Sequence, residues 1–158
     1  MASTDVSSES TSGAAGALGV DMNLEVVTLP VSDVDRAKSF YQSLGWRLDI
    51  DLVVSDDVRT VQLTPPHSAC SIQIGKGRTT ADPGSAQGMI LVVEDIDAAR
   101  ADLISRGVDV SEVHEARPPG FDSPGRSYFA RASFSDPDGN SWELQEITER
   151  LPGREWED

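Results

Sequence analysis

The chain has 158 residues, 38% of them hydrophobic and 25% charged, with 27 acidic side chains against 13 basic and a formal net charge of -14. That is one domain's worth of length. The charge excludes electrostatic binding to nucleic acid, which needs clustered Lys and Arg, and equally to an anionic membrane surface. No run approaches the roughly eighteen apolar residues of a membrane span. The single cysteine, Cys70, cannot form an intrachain disulfide, so nothing requires an oxidising compartment and the expected setting is the cytoplasm.

In chain order, residues 1–21 are rich in Ser, Thr, Gly and Ala, without aromatic or periodic apolar residues. Such a segment cannot bury enough surface to offset its conformational entropy, which predicts a disordered leader. Asp5 and Glu9 fit neither a secretory signal nor a basic transit peptide. The body is a tandem repeat. Leu29 to Leu48 (LPVSDVDRAKSFYQSLGWRL) returns sixty-two positions later as Leu91 to Val110 (LVVEDIDAARADLISRGVDV), with Leu, Val, Asp, Asp, Ala, Ser and Gly at matching positions.

Each copy opens on a short apolar run, Val26–Val31 or Met89–Val93, that predicts a strand. Asp33 and Asp95 follow as helix caps. Ala37, Phe40, Tyr41 and Leu44 recur on one helical face, and Gly45 and Gly107 stand where a helix end takes a left-handed residue. Further strands are predicted at Trp46–Leu52, Val58–Leu63 and Ala69–Gly75 in the first copy. In the second they fall at Val108–Val113, Tyr128–Phe134 and Ser141–Ile147, the last two joined by the turn Asp136-Pro137-Asp138-Gly139. The expected fold is therefore α+β, two tandem βαβββ modules spanning 22–78 and 88–148. Thr79–Gly88 is the linker, Arg117–Gly125 a long loop, and 149–158 a tail.

Three stretches, LPVSDVDRAKSFYQSLGW, LVVEDIDAARADLISRG and FSDPDGNSWELQE, resemble the vicinal oxygen chelate superfamily, which includes glyoxalase I, bleomycin-resistance proteins and extradiol dioxygenases. The resemblance covers Met22 to Thr148 and implies a cup-shaped mixed sheet. In metal-using members each module supplies one ligand from its first strand and one from its last. Carried over by motif spacing, those positions are Val26, Gln73, Gly88 and Glu143. One carboxylate and one amide fall short of the three or four His, Asp or Glu donors that such metals take. The expectation is no bound metal and no cofactor. Of the two histidines, His67 falls in a Pro-rich turn, and His114 stands beside the long loop within reach of the cup mouth.

Strand alternation places Ser141, Glu143 and Gln145 on one face of the last strand, and Trp142, Leu144 and Glu146 on the other. With Val26, Thr28, Ser71, Gln73, Ile90 and Val92 they would line a mostly apolar small-molecule pocket. Glu143 is the candidate catalytic group, a partly desolvated carboxylate able to move a proton, or else a solvated remnant of a metal site. Arg126 and Tyr128 could offer a cation and a phenol to a ligand under the long loop, although a surface Arg126 pairing with a carboxylate is the plainer role. Trp46 and Trp142 read as core, Cys70 as a small packed residue, and Gly75-Lys76-Gly77 as a turn.

The functional expectation is a glyoxalase- or bleomycin-resistance-like protein that binds a small organic molecule without the usual divalent metal, sequestering it or acting on it through a carboxylate. Two alternatives stand beside it. One is a metal-dependent lyase, isomerase or dioxygenase with ligands relocated to His114, Gln73 and Glu143; the other is a non-catalytic dimerisation module. The resemblance also implies a homodimer.

Overall fold

The computed structural model describes residues 19–121 and 124–153. The leader expected over 1–21 lies outside the described residues up to residue 18, as does the tail beyond 153. Strand β1 (Val26–Thr28) leads to helix α1 (Val34–Ser43), then β2 (Arg47–Ser55), β3 (Val58–Thr64) and β4 (Ser71–Lys76). The second module repeats the order: β5 (Met89–Val93), α2 (Ile96–Ser105), β6 (His114–Glu115), β7 (Ala130–Ser135) and β8 (Ser141–Glu146). The fold is α+β, with two four-stranded sheets ordered β1-β4-β3-β2 and β5-β8-β7-β6. In each, the first strand runs parallel to the last and the other pairs are antiparallel. The two sheets are separate mixed sheets, one for each of the two modules that the repeat predicts.

The helices start and stop where the sequence says they should. Asp33 and Asp95 adopt extended backbone and accept from the N–H groups of Arg36 and Ala98, each at 3.0 Å, satisfying donors that a helix start leaves unpaired. Gly45 and Gly107 follow with φ of +85° and +86°, a conformation glycine reaches without steric cost. The repeat's offset is conserved in space: Val34–Ser43 and Ile96–Ser105 differ by sixty-two positions at both ends.

Helix α1 packs on β3 and β4, and α2 on β7 and β8. The helix-side faces pool into one core that crosses the module boundary. Trp142 of β8 donates from Nε1 to the Tyr41 hydroxyl of α1 at 3.0 Å and meets Trp46 edge-on at 5.3 Å. Leu29, Leu63, Ile74 and Ile96 are fully buried there, each side chain worth about 1.5–3 kcal/mol of apolar transfer. The opposite faces of both sheets are left open, with Thr28, Ile50, Leu52, Ile90 and Val92 exposed on them.

One expected element does not form. Val108–Val113 keeps the in-out alternation of a strand, with Val108 and Val110 buried, yet regular pairing begins only at His114. The reason is Ser111. Its backbone N–H donates to the Ser133 carbonyl at 2.9 Å, but its hydroxyl accepts from Ser133 N–H, so a side chain occupies the place of a ladder carbonyl. Strand β7 likewise starts at Ala130 rather than Tyr128, because Tyr128 takes φ +71° and Arg126–Phe129 close a turn.

The DPDGN turn does more than reverse the chain. Asp136 and Asn140 are buried, and Tyr41 donates to Asp136 Oδ2 at 2.9 Å. Asn140 Nδ2 donates to the Pro30 carbonyl and to Asp136 Oδ2, both at 2.8 Å, while Asn140 Oδ1 accepts from Ala86 N–H at 3.0 Å. The linker presses on this turn so closely that a Cβ at Gly84 would lie 2.0 Å from the Asp138 carbonyl oxygen. One buried amide thus ties the first module, the linker and the second module together.

Candidate functional site

The open face of the second sheet carries a cavity of about 550 Å³. Its floor is built by strand alternation. In β7, Ala130, Ala132 and Phe134 go to the core, which leaves Arg131, Ser133 and Ser135 on the open face. In β8, Trp142 and Leu144 are core, and Ser141, Glu143 and Gln145 share the Arg131 face, since Ser133 pairs with Glu143 and Arg131 with Gln145. Arg131 and Gln145 line the cavity. Its walls are apolar and come from outside the sheet: Pro118, Phe121 and Pro124 of the long loop, Phe129 at the head of β7, and Leu151 and Pro152 of the tail.

The loop and tail are pinned by named bonds. Tyr128, bent by its positive φ, lines the cavity, and its hydroxyl accepts from Leu151 N–H at 3.1 Å, joining loop to tail. Ser127 reinforces this: its Oγ accepts from Thr148 and Glu149 N–H and donates to the Glu149 carbonyl. Gln145 Nε2 donates to the Tyr128 carbonyl at 2.9 Å, fixing the loop onto the floor. Phe121 meets Phe129 edge-on at 5.9 Å, and the Arg117 guanidinium lies 4.3 Å from the Phe129 ring centre. Glu143, just beyond the cavity lining, is held by Arg131 Nη1 in a close ion pair.

Gln145 and Tyr128 therefore stand together at the cavity, with Glu143 joined to it through Arg131. Arg126 goes elsewhere. It donates to Glu146 at 2.9 Å and Asp97 at 2.7 Å on the helix side, and those carboxylates raise its pKa, Asp97 most of all. Glu146 is buried and also accepts from Ile96 N–H, so this cluster anchors the start of α2. His114 is exposed on edge strand β6, its Nδ1 3.4 Å from the Glu112 carbonyl oxygen. His67 is exposed with φ +61°. Val26, Thr28 and Gln73 lie on the open face of the first sheet, where Val26 pairs with Ser71 and Thr28 with Gln73. They do not line this cavity. Gln73 Oε1 accepts from Arg78 at 3.2 Å.

A smaller seam of about 300 Å³ runs between the two sheets, lined by Val27, Cys70, Ile72, Ile90 and Trp142 among others.

The inherited metal positions do not fit a divalent metal. Val26 and Gly88 offer no donor side chain, Gln73 is engaged by Arg78, and Glu143 by Arg131. Among the described residues, no three His, Cys, Asp or Glu come together as a metal-holding group.

Sequence reasoning missed Arg131, Phe121 and Leu151. The signal for Arg131 was present in the alternation of ARASFS opposite Ser141-Glu143-Gln145. Phe121 and Leu151 lie in irregular segments, where no periodicity marks a side chain's direction.

Comparison with known proteins agrees with this architecture. The profile of the Glyoxalase/Bleomycin resistance protein/Dioxygenase superfamily matches residues 23–144. Among solved structures, the chain is similar to TnmS3, an antibiotic binding protein from Streptomyces sp. CB03234, at 31% identity and a TM-score of 0.66, over 82% of this chain and 98% of that one. It is similar to a glyoxalase/bleomycin resistance protein from the same organism at 32% identity and TM-score 0.62, covering 78% and 100% of the two chains. A superfamily member from Sphaerobacter thermophilus DSM 20745 matches at 28% identity and TM-score 0.63, covering 80% and 98%. A comparison with curated proteins found no match. No described helix is long and apolar enough to cross a membrane.

Proposed function

Since the chain belongs to the Glyoxalase/Bleomycin resistance protein/Dioxygenase superfamily, we propose that it binds a small, largely apolar organic molecule on the open face of its second sheet, holding it rather than transforming it. The observation that carries this reading is the cavity of about 550 Å³, with an apolar wall of Phe121, Phe129, Leu151 and prolines over a floor of Arg131 and Gln145. That size and mixture suit a drug-sized ligand, in which apolar contacts supply affinity and a few polar groups fix orientation. A similar structure described as an antibiotic binding protein points the same way. Glu143 supports sequestration over catalysis, because Arg131 already occupies it.

The reading carries further features with it. The inherited metal positions lack the donors for a cation, so the ligand is held by protein groups alone. The net charge of -14 argues against a nucleic-acid partner and fits a cytoplasmic setting. A homodimer is favoured by the open faces themselves. Ile50 and Leu52, 43% and 55% exposed, stand on the first sheet's open face, and a second copy could cover them.

The test is a thermal melt of the full chain against a panel of bicyclic aromatic compounds. A ligand at a hundredfold excess over its Kd stabilises by about 2.7 kcal/mol, which raises Tm by several degrees. Phe121→Ala, at a side chain already 52% exposed, should leave the unliganded Tm unchanged and reduce the ligand-induced rise. No rise with any compound, or one indifferent to Phe121, overturns the reading.

A further inference from the structure

Gln145 is 7% exposed, shares the open face with Arg131 and lines the cavity. Its Nε2 donates to the Tyr128 carbonyl at 2.9 Å. A carbonyl only accepts, so the amide must turn its nitrogen toward Tyr128, and its oxygen is what remains. That Oε1 accepts from no group among the described residues, yet it is not sealed from solvent as Arg131 Nε is. Water can satisfy it; a ligand that offers it only carbon strands it.

The charges around this amide cancel. Glu143 neutralises Arg131, Glu115 stands 3.6 Å from the Arg117 guanidinium that backs the Phe129 ring, and Glu149 lines the cavity beside Arg150. An anionic ligand would give up its hydration without meeting an uncompensated cation, in a chain whose net charge is -14. The Tyr128 hydroxyl accepts from Leu151 N–H, and its own proton has no acceptor among the described residues. A ligand hydroxyl and a ligand ether can both take that proton, so Tyr128 does not tell them apart. Gln145 Oε1 does, because only the hydroxyl can donate to it.

We propose that this cavity selects a neutral aromatic molecule that donates a hydrogen bond, its O–H or N–H on Gln145 Oε1 and its ring against Phe121, Phe129 and Leu151. The inference rests on the binding function proposed above and names its ligand class. Gln145 then works from both ends of one amide. Nε2 holds the long loop over the floor through the Tyr128 carbonyl, and Oε1 reads the ligand. A site built around a buried acceptor rejects an analogue that lacks the matching donor, since binding would leave that acceptor unpaired.

The experiment is calorimetric titration of the full chain at neutral pH with naphthol, its methyl ether and naphthoate, three compounds on one ring system. Naphthol should bind about tenfold more tightly than the ether, the scale of an acceptor paired in one complex and stranded in the other. It should exceed naphthoate by at least as much. Gln145→Met, which keeps the side chain's length and removes the acceptor, should bring naphthol down to the ether and leave the ether unchanged. If that variant proves unfolded by circular dichroism, magnetic resonance of the native chain with isotope-labelled glutamine decides instead. One side-chain amide signal should then move with naphthol and stay in place with the ether. Equal binding of naphthol and ether, a tighter naphthoate, a hydroxyl preference that survives in Gln145→Met, or amide signals indifferent to naphthol overturn the donor assignment while leaving the binding function standing. If none of the three binds and the aromatic panel gives no thermal shift, both fall together.

Discussion

Asn140 shows how much one buried side chain can hold. It donates to Pro30 and Asp136 and accepts from Ala86, and it is inaccessible to solvent. Asn140→Ala strands the Pro30 carbonyl, the Ala86 N–H and part of Asp136, so a destabilisation of about 2–4 kcal/mol is expected. A urea melt with unchanged slope and a lower midpoint would show it; a loss under about 0.5 kcal/mol would mean that the three segments are held by packing alone. Tyr41 belongs to the same cluster. Burial, with Asp136 beside it, raises its phenol far above the usual tyrosine value. In Tyr128→Phe, where Tyr41 is the remaining tyrosine, phenolate absorbance should therefore emerge only as the chain unfolds in alkali. Absorbance that rises while the fold persists would contradict the buried hydrogen bond. The donor arithmetic at Val26, Gln73, Gly88 and Glu143 makes a prediction too. Neither EDTA nor added Zn²⁺ or Ni²⁺ should move the melting temperature, and a rise of several degrees with either metal would show that a site assembles from other donors.

Among the elements, the β2–β3 hairpin depends most visibly on charge. Asp51 on β2 accepts from Arg59 and from Lys38 of α1, and Arg59 also reaches Asp35 of α1. Arg59 first, then Lys38, holds the Asp51 carboxyl well below the usual carboxylate range. Asp49 is lowered likewise, chiefly by Arg47 and then by Thr64. A carboxyl depressed in the folded chain contributes stability above its unfolded pKa, near 4, and loses it as pH falls through the lower folded value. Asp51→Asn should therefore be less stable than the native chain at neutral pH, with the gap closing in strong acid. Urea midpoints measured across that range test this, and a constant gap would remove the ion pairs from the explanation. The two helices and most strands were legible beforehand, because Asp caps, closing glycines and a sixty-two-residue repeat are local signals. The edge at Val108–Val113 was misread as a strand because alternation reports burial, whereas pairing depends on the partner, and Ser111 supplies a hydroxyl where the ladder needs a carbonyl.

For the whole molecule, the decisive fact is which faces the modules share. The helix-side faces merge through Tyr41, Trp46 and Trp142, so the open faces of the two sheets do not close on one another within a chain. Ile50 and Leu52 are consequently left exposed. If a second copy covers them, Leu52→Asp should shift sedimentation from dimer to monomer with little change in monomer stability, since the side chain is outside the core. A native chain that sediments as a monomer at high concentration would remove the dimer from the proposal. Val26, Thr28 and Gln73 stand on the open face of the first sheet, and Glu143 and Gln145 on that of the second.

The sequence by itself determined the α+β class, the doubled βαβββ order, the caps, the alternating faces of β8 and the poverty of metal donors. All of these rest on residues close together in the chain or on residue chemistry alone. The tertiary structure decided the rest. It sent Arg126 to Glu146 and Asp97, brought Tyr128 and Gln145 to one cavity, and paired Glu143 with Arg131. It also recruited Phe121 and Leu151 from a loop and a tail to wall that cavity. Those outcomes depend on cross-strand register and on how irregular segments return to a sheet, contacts distant in sequence that no local periodicity encodes.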